Sequence, residues 1–345
     1  MTAECPDAIA PSAASRLAGC LLAQALGDAL GFVVEGAPAA VARRYAAALP
    51  HASAILPARS PFSPGQYSDD TQYARELCAS IVDAGEWRAD AFARRLARLF
   101  AAGRDVGAGA GSRRAARRLL LGVDWREAGT PPPYAGNGAA IRAGPIGVLF
   151  RGDPLAMRRV AIEQALVTHR EPLCAAGAVA IAAAVRLAAT EEANAETALA
   201  SVGALATEVD ARFGAAFDTL GELLSLPPAA AAERLRAARL DPLGPPPTGG
   251  LSIHVVPTVI WSLYSVWRHP SSWREALGTA IGIGGDTDST GAMAGAIVGA
   301  RLGAGALPAA LLAQLHDRGT DGAAALTALA GRCVASVLDA PPSRP

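Results

Sequence analysis

The sequence is short of what staples a small secreted fold or binds a soft metal. Its five cysteines (Cys5, Cys20, Cys78, Cys174 and Cys333) are odd in number, far apart and never in a CxxC pair. That spacing argues against a disulfide framework and against a thiolate zinc site. An excess of either charge is also missing. Basic and acidic residues balance at 31 each, so the chain has no electrostatic footprint for nucleic acid or an anionic membrane. The densest basic run, Arg113-Arg114-Ala115-Ala116-Arg117-Arg118, reads as the solvated face of a helix. Met1 to Ser15 lack a basic segment followed by an apolar one, so no signal peptide is read there. The apolar run from Leu173 to Ala189 is alanine-rich and interrupted by Arg186, which suits a buried helix better than a membrane span. A reducing cytosol is the expected location, with no membrane partner and no nucleic acid.

What is present is helical. The 345 residues are 51% hydrophobic and 18% charged, an ordinary globular composition with ample material for a core. Alanine-rich segments long enough for helices span 13–34, 71–84, 87–101, 154–167, 172–189, 193–213, 255–267, 271–283 and 290–302. Few stretches carry the alternation of a strand. Glycine and proline collect between the segments, as in Pro131-Pro132-Pro133, but never in a run long enough for an interdomain linker. No fixed-period repeat is found. The expectation is an all-α fold, a single helical domain over residues 12–338 that brings its ends together, with 1–11 and 339–345 as flexible tails. Oligomeric state is not legible.

Two acidic clusters carry the chemistry: Ser68-Asp69-Asp70-Thr71 and Asp286-Thr287-Asp288-Ser289. Each packs two carboxylates and two hydroxyls into four residues ahead of a helical stretch. The bland explanation is helix capping, with Asp69 answered by Gln72 and with Asp286 or Asp288 capping the second helix. A cap needs one carboxylate, however, and a second costs like-charge repulsion unless a cation offsets it. Carboxylate and hydroxyl oxygens are what hard divalent cations prefer, and two such clusters are what a two-metal hydrolytic centre requires.

Three further motifs stand between and before the clusters: Gly27-Asp28-Ala29-Leu30-Gly31 followed by Glu35, Gly136-Asn137-Gly138-Ala139-Ala140-Ile141-Arg142 with Pro145-Ile146-Gly147, and Thr168-His169 with Pro172. Together with Tyr67 to Gln72 and Gly284 to Thr290 they run in order over nearly the whole chain. In this order they resemble the ADP-ribosylglycohydrolase family, which includes the dinitrogenase reductase-activating glycohydrolases and the ADP-ribosylhydrolases. The resemblance implies an orthogonal all-α bundle with a binuclear centre of two Mg²⁺, or Mn²⁺, held by Ser68, Asp69, Asp70, Asp286, Asp288 and Ser289. Ser68 and Ser289 stand where members often carry threonine, and both keep the oxygen. It also implies Asn137, Gly138, Ala139 and Ile141 as a loop against ADP-ribose, with His169 as a ligand contact. Gly109 and Gly111, within Gly107 to Ser112, are read as another anion-facing turn. Glu35 falls where the serine-directed branch carries a mobile catalytic glutamate, so Glu35, Asp69 and Asp70 are the candidates for catalysis. Asp28 is favoured as a structural tie.

The implied activity is hydrolysis of the C1″ glycosidic bond of an ADP-ribosylated protein or ADP-ribose conjugate, with arginine the favoured attachment. Serine, O-acetyl and nucleobase linkages stay open, as do a silent ADP-ribose-binding or toxin-occluding protein and a phosphoester hydrolase. Rim loops over 52–67, 103–112, 122–135 and 240–253 are expected to set specificity, with Tyr67, Trp125 and Tyr134 as contributors.

Overall fold

The computed structural model describes residues 10–49, 55–190, 195–242, 244 and 246–338. The tails expected at 1–11 and 339–345 lie outside these residues, apart from positions 10 and 11. In chain order the helices are α1 (Ala13–Phe32), α2 (Ala39–Ala47), α3 (Asp69–Ala84), α4 (Ala89–Ala101), α5 (Ala110–Leu120), α6 (Trp125–Ala128), α7 (Gly144–Leu149), α8 (Pro154–Leu166) and α9 (Pro172–Thr190). They continue with α10 (Ala195–Val209), α11 (Arg212–Leu224), α12 (Pro228–Ala237), α13 (Val255–Arg268), α14 (Trp273–Gly282), α15 (Thr287–Leu302), α16 (Ala309–Leu312) and α17 (Ala323–Val337). No sheet forms among the described residues; extended backbone meets only in isolated bridges such as Leu251 with Gly285. The fold is all-α, as the sequence predicts.

The segment 193–213 is not one helix. α10 stops at Val209, and Asp210 Oδ1 then accepts the Arg212 N–H at 3.0 Å to open α11. A side-chain turn of this kind competes with the backbone bonds that would continue the helix. The sequence does not single out α2, α5 and α12, of 9 to 11 residues, nor the longer α17. Helices of this length owe their stability to tertiary packing more than to propensity.

At the centre, α1 is buried on every side from Arg16 to Phe32, as a helix apolar all round must be. Its most extensive partner is α15. The two lie so close that a Cβ on Gly27 would sit 2.1 Å from the Gly291 carbonyl oxygen, and one on Gly295 would sit 2.1 Å from that of Ala23. Glycine or alanine recurs every fourth residue along both helices, at 19, 23, 27 and 31 and at 291, 295 and 299, which keeps a smooth stripe on one face of each. Arg16 closes the far end, donating from Nη1 to the Ala300 and Arg301 carbonyls at 3.2 and 3.1 Å. α9 is long and apolar enough to cross a membrane by composition, but it packs against α7, α8, α10, α13 and α15 as a core helix. This arrangement delivers the C-terminal end of α1, the first turn of α3 and the first turn of α15 to one place.

Candidate active site

Asp28 near the end of α1 is fully buried and accepts three hydrogen bonds from the start of α3: Ser68 N at 2.9 Å, Thr71 N at 3.0 Å and Thr71 Oγ1 at 2.6 Å. It satisfies amides that a helix start leaves unpaired, which agrees with the structural role expected of it. Gln24, one turn earlier, donates to the Asp70 and Ile141 carbonyls at 2.9 and 3.0 Å. The cap of α3 is Ser68, whose Oγ accepts the Asp70 N–H at 3.3 Å, and not Asp69. Nor does Gln72 answer the cap; its amide donates to the Arg104 carbonyl and Asp317 and accepts from Val106 N. The side chains of Asp69 and Asp70 are thereby left for other work.

The second cluster is turned into place by Gly284 and Gly285, both left-handed at φ +81°. Side chains adopt this conformation only at a cost. A Cβ on Gly285 would in addition meet the Leu251 carbonyl oxygen at 2.0 Å. The Gly285 carbonyl accepts the Gly36 N–H at 2.8 Å, which sets Glu35 beside the start of α15. Asp286 occupies the N-cap position of α15 but makes no capping bond with its side chain; its Oδ2 accepts from Asn137 Nδ2 at 2.6 Å. Asp288 does not cap the helix from outside either, since it lies within the first turn.

The two clusters meet. Glu35, Asp69, Asp70, Asp286, Asp288 and Ser289 line one cleft with Gly109, Gly111, Asn137, Gly138, Ile141 and His169. Oxygens of Glu35, Asp286 and Asp288 lie within 4.8 Å of one another. Ser68 stands beneath the cleft as the cap of α3, and Ala139 is buried with its carbonyl accepting from Gln164 Nε2 at 3.0 Å. Neither lines the cleft, so the structure does not present the Ala139 side chain to a ligand there. Gly107, Ser112, Tyr134, Gly136 and Ile253 complete the walls. Ile253 was missed as an individual contact, being one apolar residue in a loop without periodicity. A roomier cavity of about 710 Å³ between α2, α12 and α14 holds none of these groups, so chemistry rather than size locates the site.

The acidic wall is far from neutral comfort. Burial pushes the Asp286 carboxyl up to about 6, against the Asn137 hydrogen bond that lowers it. Burial likewise raises Asp28 to about 6. Asp69, Asp70 and Asp288 are held well above the usual carboxylate range by burial and then by neighbouring carboxylates. Asp70 Oδ2 is buried without a hydrogen-bond partner. Buried carboxylates facing one another call for a cation, and every donor here is an oxygen. The residues therefore fit a hard divalent cation such as Mg²⁺ or Mn²⁺.

The opposite wall is built around His169. Burial, then Arg142 and Arg114, push its imidazole down to about 3, so it is neutral. Thr168 Oγ1 accepts from Arg142 Nη2 at 2.7 Å and lies 2.8 Å from His169 Nδ1. With that bond accepted, donation of the hydroxyl proton to Nδ1 completes the network and places the histidine's own proton on Nε2, an assignment made from the network. Nε2 faces the glycines: a Cβ on Gly111 would be 2.8 Å from it, one on Gly136 3.3 Å and one on Gly138 3.4 Å. These glycines are needed for room. The Tyr134 ring stacks on the imidazole at 5.7 Å, and its hydroxyl accepts the Gly111 N–H at 3.2 Å. Arg142 itself is fully buried and bonded only to neutral acceptors on Gln164, Gly138 and Thr168. One wall thus collects oxygen ligands and the other presents an N–H donor amid close backbone.

Known proteins match this chain over most of their length. The sequence profile of the ADP-ribosylglycohydrolase family matches residues 10–341. The chain is 27% identical over 310 residues to the ADP-ribosyl-[dinitrogen reductase] glycohydrolase of Rhodospirillum rubrum, covering 88% of this chain and 92% of the relative. It is 28% identical over 331 residues to ADP-ribosylhydrolase ARH3 of Homo sapiens, covering 85% and 87% respectively. A solved structure described as an ADP-ribosylglycohydrolase-related protein complex superimposes with a TM-score of 0.67 at 26% identity, over 94% of this chain and 99% of that one.

Proposed function

Because the chain belongs to the ADP-ribosylglycohydrolase family, whose members hydrolyse glycosidic bonds, we propose that it is a metal-dependent ADP-ribosylhydrolase that releases ADP-ribose from arginine. What carries the proposal is the meeting of Glu35, Asp286 and Asp288 within 4.8 Å, in the cleft that also holds Asp69, Asp70 and the His169 wall.

Asp69, Asp70, Asp286, Asp288 and Ser289, with Ser68 below them, would hold two divalent cations. Such cations supply Lewis-acid stabilisation of ribose oxygens and make water more acidic. The chain's own groups do the rest. His169 Nε2–H and the backbone amides of Gly109 and Gly138 bind the diphosphate, with Gly111 leaving room beside them, since close-set amides and a neutral donor suit an anion. Glu35 is the cleft's acid with the most access to solvent, its side chain being 33% exposed, and it handles the proton. Water oxygen bonds to C1″, the bond from C1″ to the arginine nitrogen breaks, and the proton lost by water ends on the leaving guanidine. Preference for arginine is supported by Glu35 at the rim and by the buried Phe32 ring close to it, a pairing that suits a guanidinium.

The test is ADP-ribose release from arginine-, serine-, acetyl- and nucleobase-linked substrates with Mg²⁺, Mn²⁺ or EDTA. Metal-dependent release from the arginine linkage is expected. Robust turnover by an Asp69→Ala/Asp288→Ala double variant stripped of metal would overturn it.

A further inference from the structure

The rim already grips a guanidinium. Arg59, from the irregular segment between α2 and α3, donates from Nη1 to Glu35 Oε2 and, at 3.0 Å, to the Phe32 carbonyl. Its Cζ lies 4.5 Å from the centre of the Phe32 ring, and Phe62 closes the aromatic corner with its ring 5.5 Å from that of Phe32. A carboxylate, a carbonyl and an aromatic face converging on one planar cation make a guanidinium site by any chemical criterion. A Glu35 carboxylate oxygen also lies within 4.8 Å of Asp286 and Asp288. The bound guanidinium therefore stands against the reacting end of the cleft and not at a remote edge.

We propose, resting on the hydrolase reading above, that Glu35, Phe32 and the Phe32 carbonyl form the subsite for the leaving guanidine of an arginine-linked substrate, and that Arg59 is its internal occupant. The pair is a third exposed on both sides, 36% at Arg59 and 33% at Glu35. Ion pairs that wet are weak, so an incoming guanidinium can exchange with the resident one. Arg59 then sets specificity in a simple way. A substrate that brings its own guanidinium replaces what it displaces, whereas a serine-linked substrate must leave Glu35 without a cationic partner. After the bond breaks, return of Arg59 to Glu35 favours departure of the freed arginine side chain.

The experiment uses Arg59→Ala and the unaltered protein, both saturated with Mg²⁺, and agmatine as the guanidinium probe. Calorimetry should show agmatine binding at least fivefold tighter in Arg59→Ala, and KM for an arginine-linked substrate should fall several-fold, moving more than kcat. Adding Phe32→Leu should reverse the agmatine gain by removing the aromatic face. Unchanged agmatine affinity together with a loss of kcat on every linkage would overturn the proposal and make Arg59 a strut for Glu35. Tighter agmatine binding with no ADP-ribose release from any linkage would support the subsite and sink the hydrolase reading, so the two failures are told apart.

Discussion

Asn137 and Asp286 stand 149 residues apart and share a 2.6 Å hydrogen bond, Nδ2 donating to Oδ2. The glycine loop and the acidic wall are therefore one unit, since the asparagine amide both closes the loop and orients a carboxylate. Asn137→Ala should weaken Mg²⁺ or Mn²⁺ binding by about 10- to 100-fold, the usual cost of losing a group that orients a ligand. Asn137→Asp should cost more by adding a carboxylate beside Asp286. Calorimetric metal titration reads both, and an unaltered affinity would mean that the contact orients nothing.

The acidic wall trades stability for binding. Without metal, burial and the surrounding carboxylates disfavour ionisation of Asp288, so Asp288→Asn should unfold at a higher temperature than the unaltered protein in EDTA at neutral pH. A gain of about 2 °C or more is expected, corresponding to roughly 1 kcal/mol. The same variant should lose the rise in melting temperature that Mg²⁺ gives the unaltered protein. A lower melting temperature in EDTA would contradict this account.

Acid should stabilise the metal-free protein over a defined window. Asp28 and Asp286 ionise in the fold at about 6, against roughly 3.9 in an unfolded chain. Between about pH 4 and 6 these two carboxyls hold more protons in the folded chain than in the unfolded one, so their contribution to stability falls as pH rises. Asp69, Asp70 and Asp288, raised as well, add to it. His169, pushed down to about 3, acts in the opposite sense below about pH 6.5, as do His254 and His269, also lowered. So do Asp90 and Asp210, lowered by their hydrogen bonds to Arg94 and Arg212, which solvent screens. The raised carboxyls outnumber the buried imidazole. Melting curves in EDTA should therefore sit higher at pH 5 than at pH 7. Saturating Mg²⁺, which selects the ionised carboxylates, should invert that order.

Thr168→Val should disarm His169 without removing it. The variant leaves Nδ1 without its donor and Arg142 with one acceptor fewer, a defect of about 1–3 kcal/mol. ADP-ribose binding should drop roughly tenfold, and the ¹⁵N signals of His169 should report mixed tautomers. Thr168→Ser should restore both. Normal binding with a scrambled tautomer would show that Nε2–H is not the ligand's donor.

Much of this was legible beforehand, for reasons particular residues make plain. The acidic clusters, Glu35 and the glycine motifs are short local patterns whose chemistry does not depend on what lies next to them, and the fold brings them to one cleft. The cap of α3 was misread because Asp69 and Ser68 are equally good caps in isolation. The choice between them is made by Asp28, 40 residues away, whose carboxylate takes up the remaining amides. Arg59 could not be found at all, since nothing in its own segment marks it and its meaning comes from Glu35 and Phe32. The part Thr168 plays is invisible for the same reason, as it depends on a guanidinium arriving from 26 positions earlier.

The glycine seam between α1 and α15 bears on how such a chain can vary in length. One residue inserted into either helix would turn everything beyond it by roughly 100°. The smooth stripe would then meet side chains, and the two acidic clusters would face apart. The seam therefore works as a fixed ruler: a change of length in either helix would shift the carboxylates against one another, whereas one in the loops around the cleft would leave their spacing alone.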